Sequence, residues 1–326
     1  RDERSSRGLG DVYKRQGQPD GTGLQRYREE YINVIAQTFA QYPSLRIVAM
    51  LEPDGYPNMV TNVGGSMTAT DKCNAVYEAG VYKTALQYAI GTFAEMDNVY
   101  TYIDIGHSGW LGWDNTNTDN LQRGVVAFTE LVKGATQSGR LDAIKGFASN
   151  TSGYTPLREP YIAGTHATRQ KLAGFYEWNR HVDELSFIDT LYRRFTSGDE
   201  VEGDGGAVRR VAGQGFPSSL GFIIDTARNG WGGPNRPTGE GVPAAKDDAK
   251  FRVDRRRHRG HWCNIADAGI GEIPQANPDP SRPYIDAYYW MKPPGESDGI
   301  SDKSAVDPNE EGKSYDPMCG GEATNT

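Results

Sequence analysis

Residues 99–113, VYTYIDIGHSGWLGW, carry the strongest indication of the fold. Their first part, Val99–Asp104, is rich in β-branched and aromatic residues, which predicts a buried strand. A polar and glycine-rich segment follows at once, so the strand ends in a loop that can carry chemistry. Helical periodicity lies on both sides, in candidate helices at about residues 71–95 and 117–136. The local pattern is therefore helix, strand, helix.

The same alternation extends outward along the chain. A helix is predicted for residues 24–42, and the apolar run 45–51 between Pro43 and Pro53 predicts a buried strand. The remaining predicted elements are a strand at 144–148, a helix at about 179–195, and strands at 220–225 and 284–290. Strands that alternate with helices are typical of parallel strands joined by crossover helices. The sequence therefore predicts one α/β domain.

Composition and net charge argue against several classes of function. The 326 residues carry 35 basic and 43 acidic side chains, a formal net charge of −8. This balance argues against a nucleic-acid partner or an anionic membrane surface. No apolar run approaches the length of about 18 residues that a membrane-spanning helix needs. We expect residues 1–16 to be an unstructured lead-in and residues 17–326 to form a single catalytic domain.

Polar side chains follow every predicted strand of the sheet. The carboxyl ends of parallel strands gather at one face, where chemistry is usually found. A single Asp in such a place is ordinarily a helix cap or a turn former. Five polar groups in equivalent places instead indicate a site. They lie at residues 52–54, 104–107, 149–150, 225–229 and 292–298.

Tryptophans accompany these polar groups. Trp110 and Trp113 lie among glycines just after a strand, and Trp231 and Trp262 lie in a long region rich in Gly and Pro. An uncovered indole face suits a sugar ring, although core packing also explains two tryptophans on one turn. Carboxylates combined with such platforms indicate glycoside hydrolysis. The glycine-rich stretch 203–206 follows no predicted strand, so it gives no nucleotide-binding fingerprint.

Six segments resemble motifs of glycoside hydrolase family six, the cellobiohydrolase II and endoglucanase family, and they occur in the order of that family. They are residues 51–62 (LEPDGYPNMVTN), 102–113, 146–150, 225–230, 261–264 and 290–299. The resemblance runs from about residue 24 to residue 320. It implies a distorted TIM-like parallel β/α barrel with long active-site loops.

The resemblance also implies an activity and its residues. The chain would hydrolyse β-1,4-glucosidic bonds in cellulose with inversion of configuration, without a cofactor or a metal. Asp54 would be the general acid, Asp298 the candidate base, and Asp104 would support charge near the reacting sugar. The side chains expected to bind glucose units are His107, Trp110, Asn150, Trp262, Lys292 and Glu296, together with Trp113 from the aromatic pattern.

The chain departs from the family pattern in two respects. Gly55 and Tyr56 stand where the family usually has Ser and Leu. No strand and Arg-Asp-Cys loop precede residue 24, and the sequence stops soon after Cys319, where the family continues into a closing segment. We therefore expect a chain truncated at both ends, with the first barrel strand missing and an unpaired, destabilising edge. The cysteines fit this picture. Cys263 and Cys319 resemble the second disulfide pair of the family, and Cys73 resembles the partner of the absent Cys, which indicates a secreted, extracellular protein.

The mode of action depends on the loops. The 32-residue segment 229–260 is rich in Gly, Pro and charged residues. A loop of this kind can roof a cleft into a tunnel, which favours a monomeric cellobiohydrolase acting on ends of cellulose chains and cello-oligosaccharides. An endo-acting glucanase and an inactive truncated binder are the alternatives. A metal-dependent hydrolase using Asp54, Asp104, His107 and Asp225 is disfavoured, because the five His include no His-x-x-x-His pair.

Overall fold

Most elements of the structure are the predicted ones. This computed structural model describes residues 22–64, 69, 71–114, 119–159, 179–202, 208–231, 268–293, 300–304, 315 and 319. Its strands are β1 (Ile47–Leu51), β2 (Val99–Asp104), β3 (Gly146–Ser149), β4 (Gly198–Glu202), β5 (Val208–Ala212), β6 (Gly221–Asp225), β7 (Gly230–Trp231), β8 (Ala268–Gly269), β9 (Gln275–Ala276) and β10 (Ile285–Tyr289). The first helix, α1, has three segments, Thr22–Arg26, the π-helical Tyr27–Ile32 and Asn33–Ala40. The others are α2 (Gly55–Thr61), α3 (Asp71–Ala79), α4 (Val81–Ala94), α5 (Ser108–Leu111), α6 (Asn120–Lys133) and α7 (Glu184–Phe195), with a 3₁₀ turn at Leu141–Ala143.

The central sheet has six strands in the order β1-β2-β3-β6-β10-β9. The first five run parallel to one another, and β9 pairs antiparallel with β10. Within the described residues the sheet curls into a half-barrel with β1 and β9 at its edges. The predicted fold class, a distorted TIM-like parallel β/α barrel, is confirmed.

The two faces of the sheet have different environments. The outer face packs against the helices in the main hydrophobic core, through side chains that include Ile103, Phe147 and Phe222. The inner face carries a smaller apolar cluster, formed by Tyr102, Ala148 and Ile223. Side chains alternate along a strand, so Asp104 shares the inner face with Tyr102, and Asp225 shares it with Ile223. The sheet therefore directs two carboxylates to one side at its carboxyl end.

Strand β1 is less buried than its apolar sequence predicts. Leu51 is buried, but Val48 is 60% exposed. Within the described residues β1 pairs with β2 on one side only, and an edge strand covers less of its own surface. The prediction of a buried strand is therefore wrong for most of β1.

Two helices differ from their predicted bounds. The helix expected at 71–95 is broken into α3 and α4 at Gly80, whose φ of +62° is the left-handed conformation that glycine adopts without strain. Helix α7 begins at Glu184 rather than near 179. Its N-cap is Asp183, which accepts a hydrogen bond from the Ser186 N–H in a capping box. Among the described helices, none combines the length and apolar character needed to cross a bilayer.

A hairpin of β4 and β5 was not predicted. The two strands pair antiparallel, from Gly198 opposite Ala212 to Glu202 opposite Val208. The glycine-rich stretch 203–206 joins them, so the statement that it follows no strand is wrong. Strand β5 follows the stretch, whereas a dinucleotide-binding loop is followed by a helix.

Candidate active site

Two aspartates meet where β1 and β2 end. The strands lie side by side with Leu51 opposite Ile103. Asp54 follows β1, and Asp104 is the last residue of β2. The backbone N–H of Asp54 donates to Oδ2 of Asp104 over 2.6 Å, and the N–H of Gly106 donates to Oδ1 over 3.3 Å. The carboxylate of Asp104 thus fixes the backbone of Asp54.

This pair has unusual electrostatics. Asp104 is buried, and burial raises the pKa of its carboxyl well above the ordinary range. The neighbouring Asp54 raises the pKa further, while the two backbone N–H donors lower it. Two carboxyls in close proximity, one of them desolvated, hold a proton at pH values where an isolated carboxyl would lose it. Such a pair can therefore act as a proton donor at pH values where an isolated carboxyl is ionised.

A third carboxylate, Asp225 at the end of β6, organises the segment that follows β10. Its donors are the backbone N–H groups of Ala227 at 2.8 Å, Met291 at 3.1 Å and Lys292 at 3.3 Å. Burial raises the pKa of Asp225, although the three backbone N–H donors lower it. The backbone of Lys292 is thereby held at the site. Glu296 and Asp298 lie outside the described residues, as do Trp262 and Cys263.

His107 and Asn150 hold the loops after β2 and β3. The Nδ1 atom of buried His107 is 3.0 Å from the hydroxyl oxygen of Thr155. The side-chain amide of Asn150 donates to the carbonyl oxygens of Thr155 at 3.2 Å and of Asp225 at 3.0 Å, and its Oδ1 accepts from the Thr155 N–H. Asn150 thus connects the ends of β3 and β6, and its predicted contact with sugar remains a prediction.

The two tryptophans after β2 are half-buried. Trp110 donates its indole N–H to the Thr61 hydroxyl over 2.9 Å, and Trp113 donates to the Gly109 carbonyl over 3.1 Å. Trp110 packs on the main core, and its ring centroid lies 6.1 Å from that of His107. Trp110 therefore has a packing role and also lies beside a candidate sugar-binding residue.

The alternative of a metal-dependent hydrolase draws on Asp54, Asp104, His107 and Asp225. Across the part of the chain that the structure describes, no group of three or more His, Cys, Asp or Glu residues is placed to hold a metal ion. The carboxylate of Asp225 and the Nδ1 of His107 instead bond to protein groups. The geometry does not favour this alternative.

Sequence reasoning missed Glu184, which lies under the site. The carboxylate of this buried residue accepts from the Ser108 N–H over 2.8 Å and from the Ser149 hydroxyl. The Asn179 amide donates to the Ser108 carbonyl over 2.8 Å. Burial raises the pKa of Glu184 to about 7, against the hydrogen bonds. No sequence signal distinguishes this Glu from an exposed residue in the first turn of a helix.

Tyr289, for which the sequence predicts only a place in a strand, also faces the site. It lies on the inner face of β10, and its hydroxyl is 2.6 Å from that of Thr151. Burial raises the pKa of Tyr289 well above its ordinary value, and the nearby charges of Asp225 and Asp104 raise it further. The phenol therefore stays protonated beside the two inner-face carboxylates. Period-two alternation along β10 was the signal that could have found it.

The raised pKa of Glu184 predicts a pH-dependent stability. From pH 4.5 to about 7 the native protein keeps a proton on Glu184 that the unfolded chain has released. The free energy of unfolding should therefore fall as the pH rises through this range, by roughly 3 kcal/mol in total. In Glu184→Gln this contribution is absent, so the variant should gain that amount relative to the parent between pH 4.5 and 7.

Urea denaturation of both proteins from pH 4 to 8 measures this difference. The difference between the curves is needed because buried His181, with a pKa lowered to about 3 by burial, gives the opposite slope in both proteins. A difference that does not change with pH would contradict the assignment to Glu184.

Both the sequence and the structure match known proteins. The sequence model of the family described as "Glycosyl hydrolases family 6" matches residues 12–324. Exoglucanase A of Cellulomonas fimi is 41% identical over 308 residues, which cover 91% of this chain and 31% of that protein. Among solved structures, the catalytic domain of Cellulomonas fimi Cel6B matches with a TM-score of 0.72 and 40% identity, covering 91% of this chain and 62% of that one.

A second solved structure is cellobiohydrolase II (Cel6A) from Humicola insolens in complex with glucose and cellotetraose. It matches with a TM-score of 0.61 and 27% identity, and the match covers 93% of this chain and 64% of that one. The chain therefore spans less than two thirds of each of these three relatives.

Proposed function

Because this chain belongs to glycosyl hydrolase family 6, we propose that it hydrolyses β-1,4-glucosidic bonds of cellulose and cello-oligosaccharides with inversion at the anomeric carbon. The observation that carries the proposal is the 2.6 Å hydrogen bond from Asp54 to the buried carboxyl of Asp104. It joins the segment that resembles the family's general acid to a second carboxyl. The cellotetraose complex of the Humicola insolens relative supports cello-oligosaccharides as ligands.

In the proposed reaction Asp54 is the general acid. It gives its proton to the glycosidic oxygen as the bond from that oxygen to the anomeric carbon breaks. Water attacks the anomeric carbon from the opposite face and loses its proton to a base, for which Asp298 is the candidate. The products are a free 4-hydroxyl group and a reducing end in the α configuration. Asp104 orients the backbone of the acid and supports charge near the sugar.

Glucose units are bound, in this proposal, by the aromatic and polar groups around the carboxylates. They are His107, Trp110, Trp113, Asn150 and Lys292, with Trp262 and Glu296. The 6.1 Å between the His107 and Trp110 rings supports a shared subsite, because an indole face beside a hydrogen-bonding group suits a pyranose.

The proposal also covers the extent of the domain, its location, its oligomeric state and its mode of action. We propose a single catalytic domain over residues 17–326 that is secreted, monomeric and releases cellobiose from chain ends. The exoglucanase and cellobiohydrolase names of the relatives support the chain-end mode. A disulfide between Cys263 and Cys319 is proposed from the resemblance. Peptide mapping without reductant should find these two cysteines in one linked peptide, and recovery of both as thiols would contradict the pairing.

Incubation with cellohexaose tests the activity, with product sizes and anomeric form followed by proton NMR. We expect α-cellobiose to appear first. A β-configured first product would overturn the inverting mechanism. Quenching of tryptophan fluorescence by cellohexaose without hydrolysis would identify a binder instead. Rapid loss of viscosity of a soluble cellulose derivative would identify the endo mode.

A further inference from the structure

The turn that carries Asp54 has a strained backbone. Glu52 has a φ of +50° and Asp54 a φ of +62°, both in the left-handed region that disfavours residues with a side chain. Such a conformation is disfavoured for a residue with a side chain and persists only where surrounding contacts impose it. The turn therefore depends on groups that hold it from outside.

Two tyrosines hold Glu52. The hydroxyl of Tyr82 on α4 donates to one carboxylate oxygen of Glu52 over 3.1 Å, and the hydroxyl of Tyr27 on α1 donates to the other over 3.5 Å. Tyr82 is 1% exposed. Burial raises the pKa of both Glu52 and Tyr82, and the charge of Asp104 contributes to the rise at Tyr82. Tyr82 therefore lies within electrostatic range of Asp104 and belongs to the hydrophobic core beside the turn.

The hydroxyl of Tyr82 also fills the space beside Gly55. A Cβ atom at position 55 would lie 1.7 Å from the Tyr82 hydroxyl oxygen, 2.8 Å from its Cζ and 3.2 Å from the Cβ of Glu52. The φ of Gly55 is not in the left-handed region, so the backbone does not require glycine there. The lack of a side chain is needed for space alone. A glycine at position 55 and a tyrosine at position 82 therefore compensate each other in size.

We propose that Tyr82 is a positioning residue for the general acid, and that Gly55 is present to admit its hydroxyl. The Tyr82 hydroxyl bonds to the Glu52 carboxylate, and the Gly55 N–H closes the turn by donating to the Glu52 carbonyl over 3.0 Å. The closed turn directs the Asp54 N–H toward Asp104. The proposal rests on the proposed function for the role of Asp54. The contacts among Tyr82, Glu52 and Gly55 are observed in the structure and do not depend on that function.

The first test is Tyr82→Phe, which removes the hydroxyl and keeps the ring. We expect kcat on cellotetraose to fall roughly ten- to hundredfold, the effect of displacing a catalytic group, while KM stays unchanged. The matched control is Tyr88→Phe on the same helix, whose hydroxyl bonds to Asn33 at 2.7 Å. The control should keep the parent kcat. An unchanged kcat in Tyr82→Phe, or a rise in KM alone, would overturn the proposal.

The second test uses the compensation between positions 55 and 82. Gly55→Ala alone should lower kcat more than Tyr82→Phe does, because its Cβ displaces the tyrosine and the turn together. Gly55→Ala introduced into Tyr82→Phe should cost less than it does in the parent, since the oxygen at 1.7 Å is gone and only the Cζ at 2.8 Å still has to move. Additive effects in this double-mutant cycle would contradict the compensation.

The third test needs no turnover and separates the two proposals. The Asp54 amide should exchange slowly with solvent in the parent, and Tyr82→Phe should speed this exchange, measured by NMR, at least tenfold relative to Tyr88→Phe. If the parent hydrolyses nothing yet the amide responds, the proposed function fails and the positioning by Tyr82 stands. If the parent is active and the amide does not respond, the positioning fails alone.

Discussion

Asp54→Asn should lower kcat on cellotetraose by roughly 10²- to 10⁴-fold, the usual contribution of a general acid. Asparagine has nearly the size of aspartate but cannot release a proton to the glycosidic oxygen. The backbone N–H that donates to Asp104 is retained, so the turn and the binding of sugar should be preserved. Initial rates by chromatography and the Kd from tryptophan fluorescence measure the two quantities.

A substrate with an activated leaving group distinguishes acid catalysis from structural damage. Dinitrophenolate departs from a dinitrophenyl β-cellobioside without protonation, so Asp54→Asn should retain most of the parent rate on that substrate. Asp142→Asn serves as the matched control, because Asp142 is exposed and pairs with Arg140 on the surface. Equal losses on both substrates would remove Asp54 from the role of general acid.

The largest expected loss of stability is at Arg194, where Arg194→Ala should lower the free energy of unfolding by about 3–5 kcal/mol. The guanidinium is fully buried and lies 2.6 Å from the Asp114 carboxylate, 3.4 Å from that of Asp199, and 3.0 Å from the Gln122 side chain. Removal of the cation leaves the buried carboxylate of Asp114 without its ion-pair partner at 2.6 Å. Urea denaturation followed by circular dichroism measures the loss.

The neighbouring residue supplies the control for this change. Arg193 lies on the same helix and pairs with the same Asp199 at 2.7 Å, but its side chain is 47% exposed. An exposed ion pair contributes at most about 1 kcal/mol, so Arg193→Ala should be nearly neutral. Losses of similar size in the two variants would show that burial of Arg194 does not set its contribution.

Much of the fold followed from periodicity. The bounds of β2 were predicted as observed, because Val99–Asp104 is a central strand whose composition matches its burial. The break at Gly80 was missed because one glycine inside a helical pattern is compatible with a continuous helix. The β4–β5 hairpin was missed because its strands, GDEVE and VRRVA, are rich in charged residues, and four of the five residues of β5 are exposed. Exposed strands lack the apolar pattern on which prediction depends.

The candidate site likewise contains some residues that the sequence predicts and some that it does not. Asp54 and Asp104 were identified because they lie in continuous motifs after strands. Glu184 and Tyr82 were not, because their partners are distant in sequence: Glu184 contacts a residue 76 positions away, and Tyr82 contacts one 30 positions away. Such contacts arise only once the half-barrel is formed. A local pattern therefore predicts the groups that face the substrate better than those that support them.

The left-handed residues at the strand ends have a consequence for protein engineering. Glu52, Asp54 and Asn150 all adopt positive φ, and they follow β1 and β3 at the site. Glycine at these positions would relieve backbone strain, so selection for heat tolerance alone would favour it. Glycine at position 54 would remove the proposed general acid itself, and glycine at position 52 or 150 would loosen the turn that orients the acid or the loop after β3. A directed-evolution library aimed at thermal tolerance should therefore hold these three codons fixed and place its diversity at exposed positions of the outer helices, away from buried residues such as Tyr82 and Arg194.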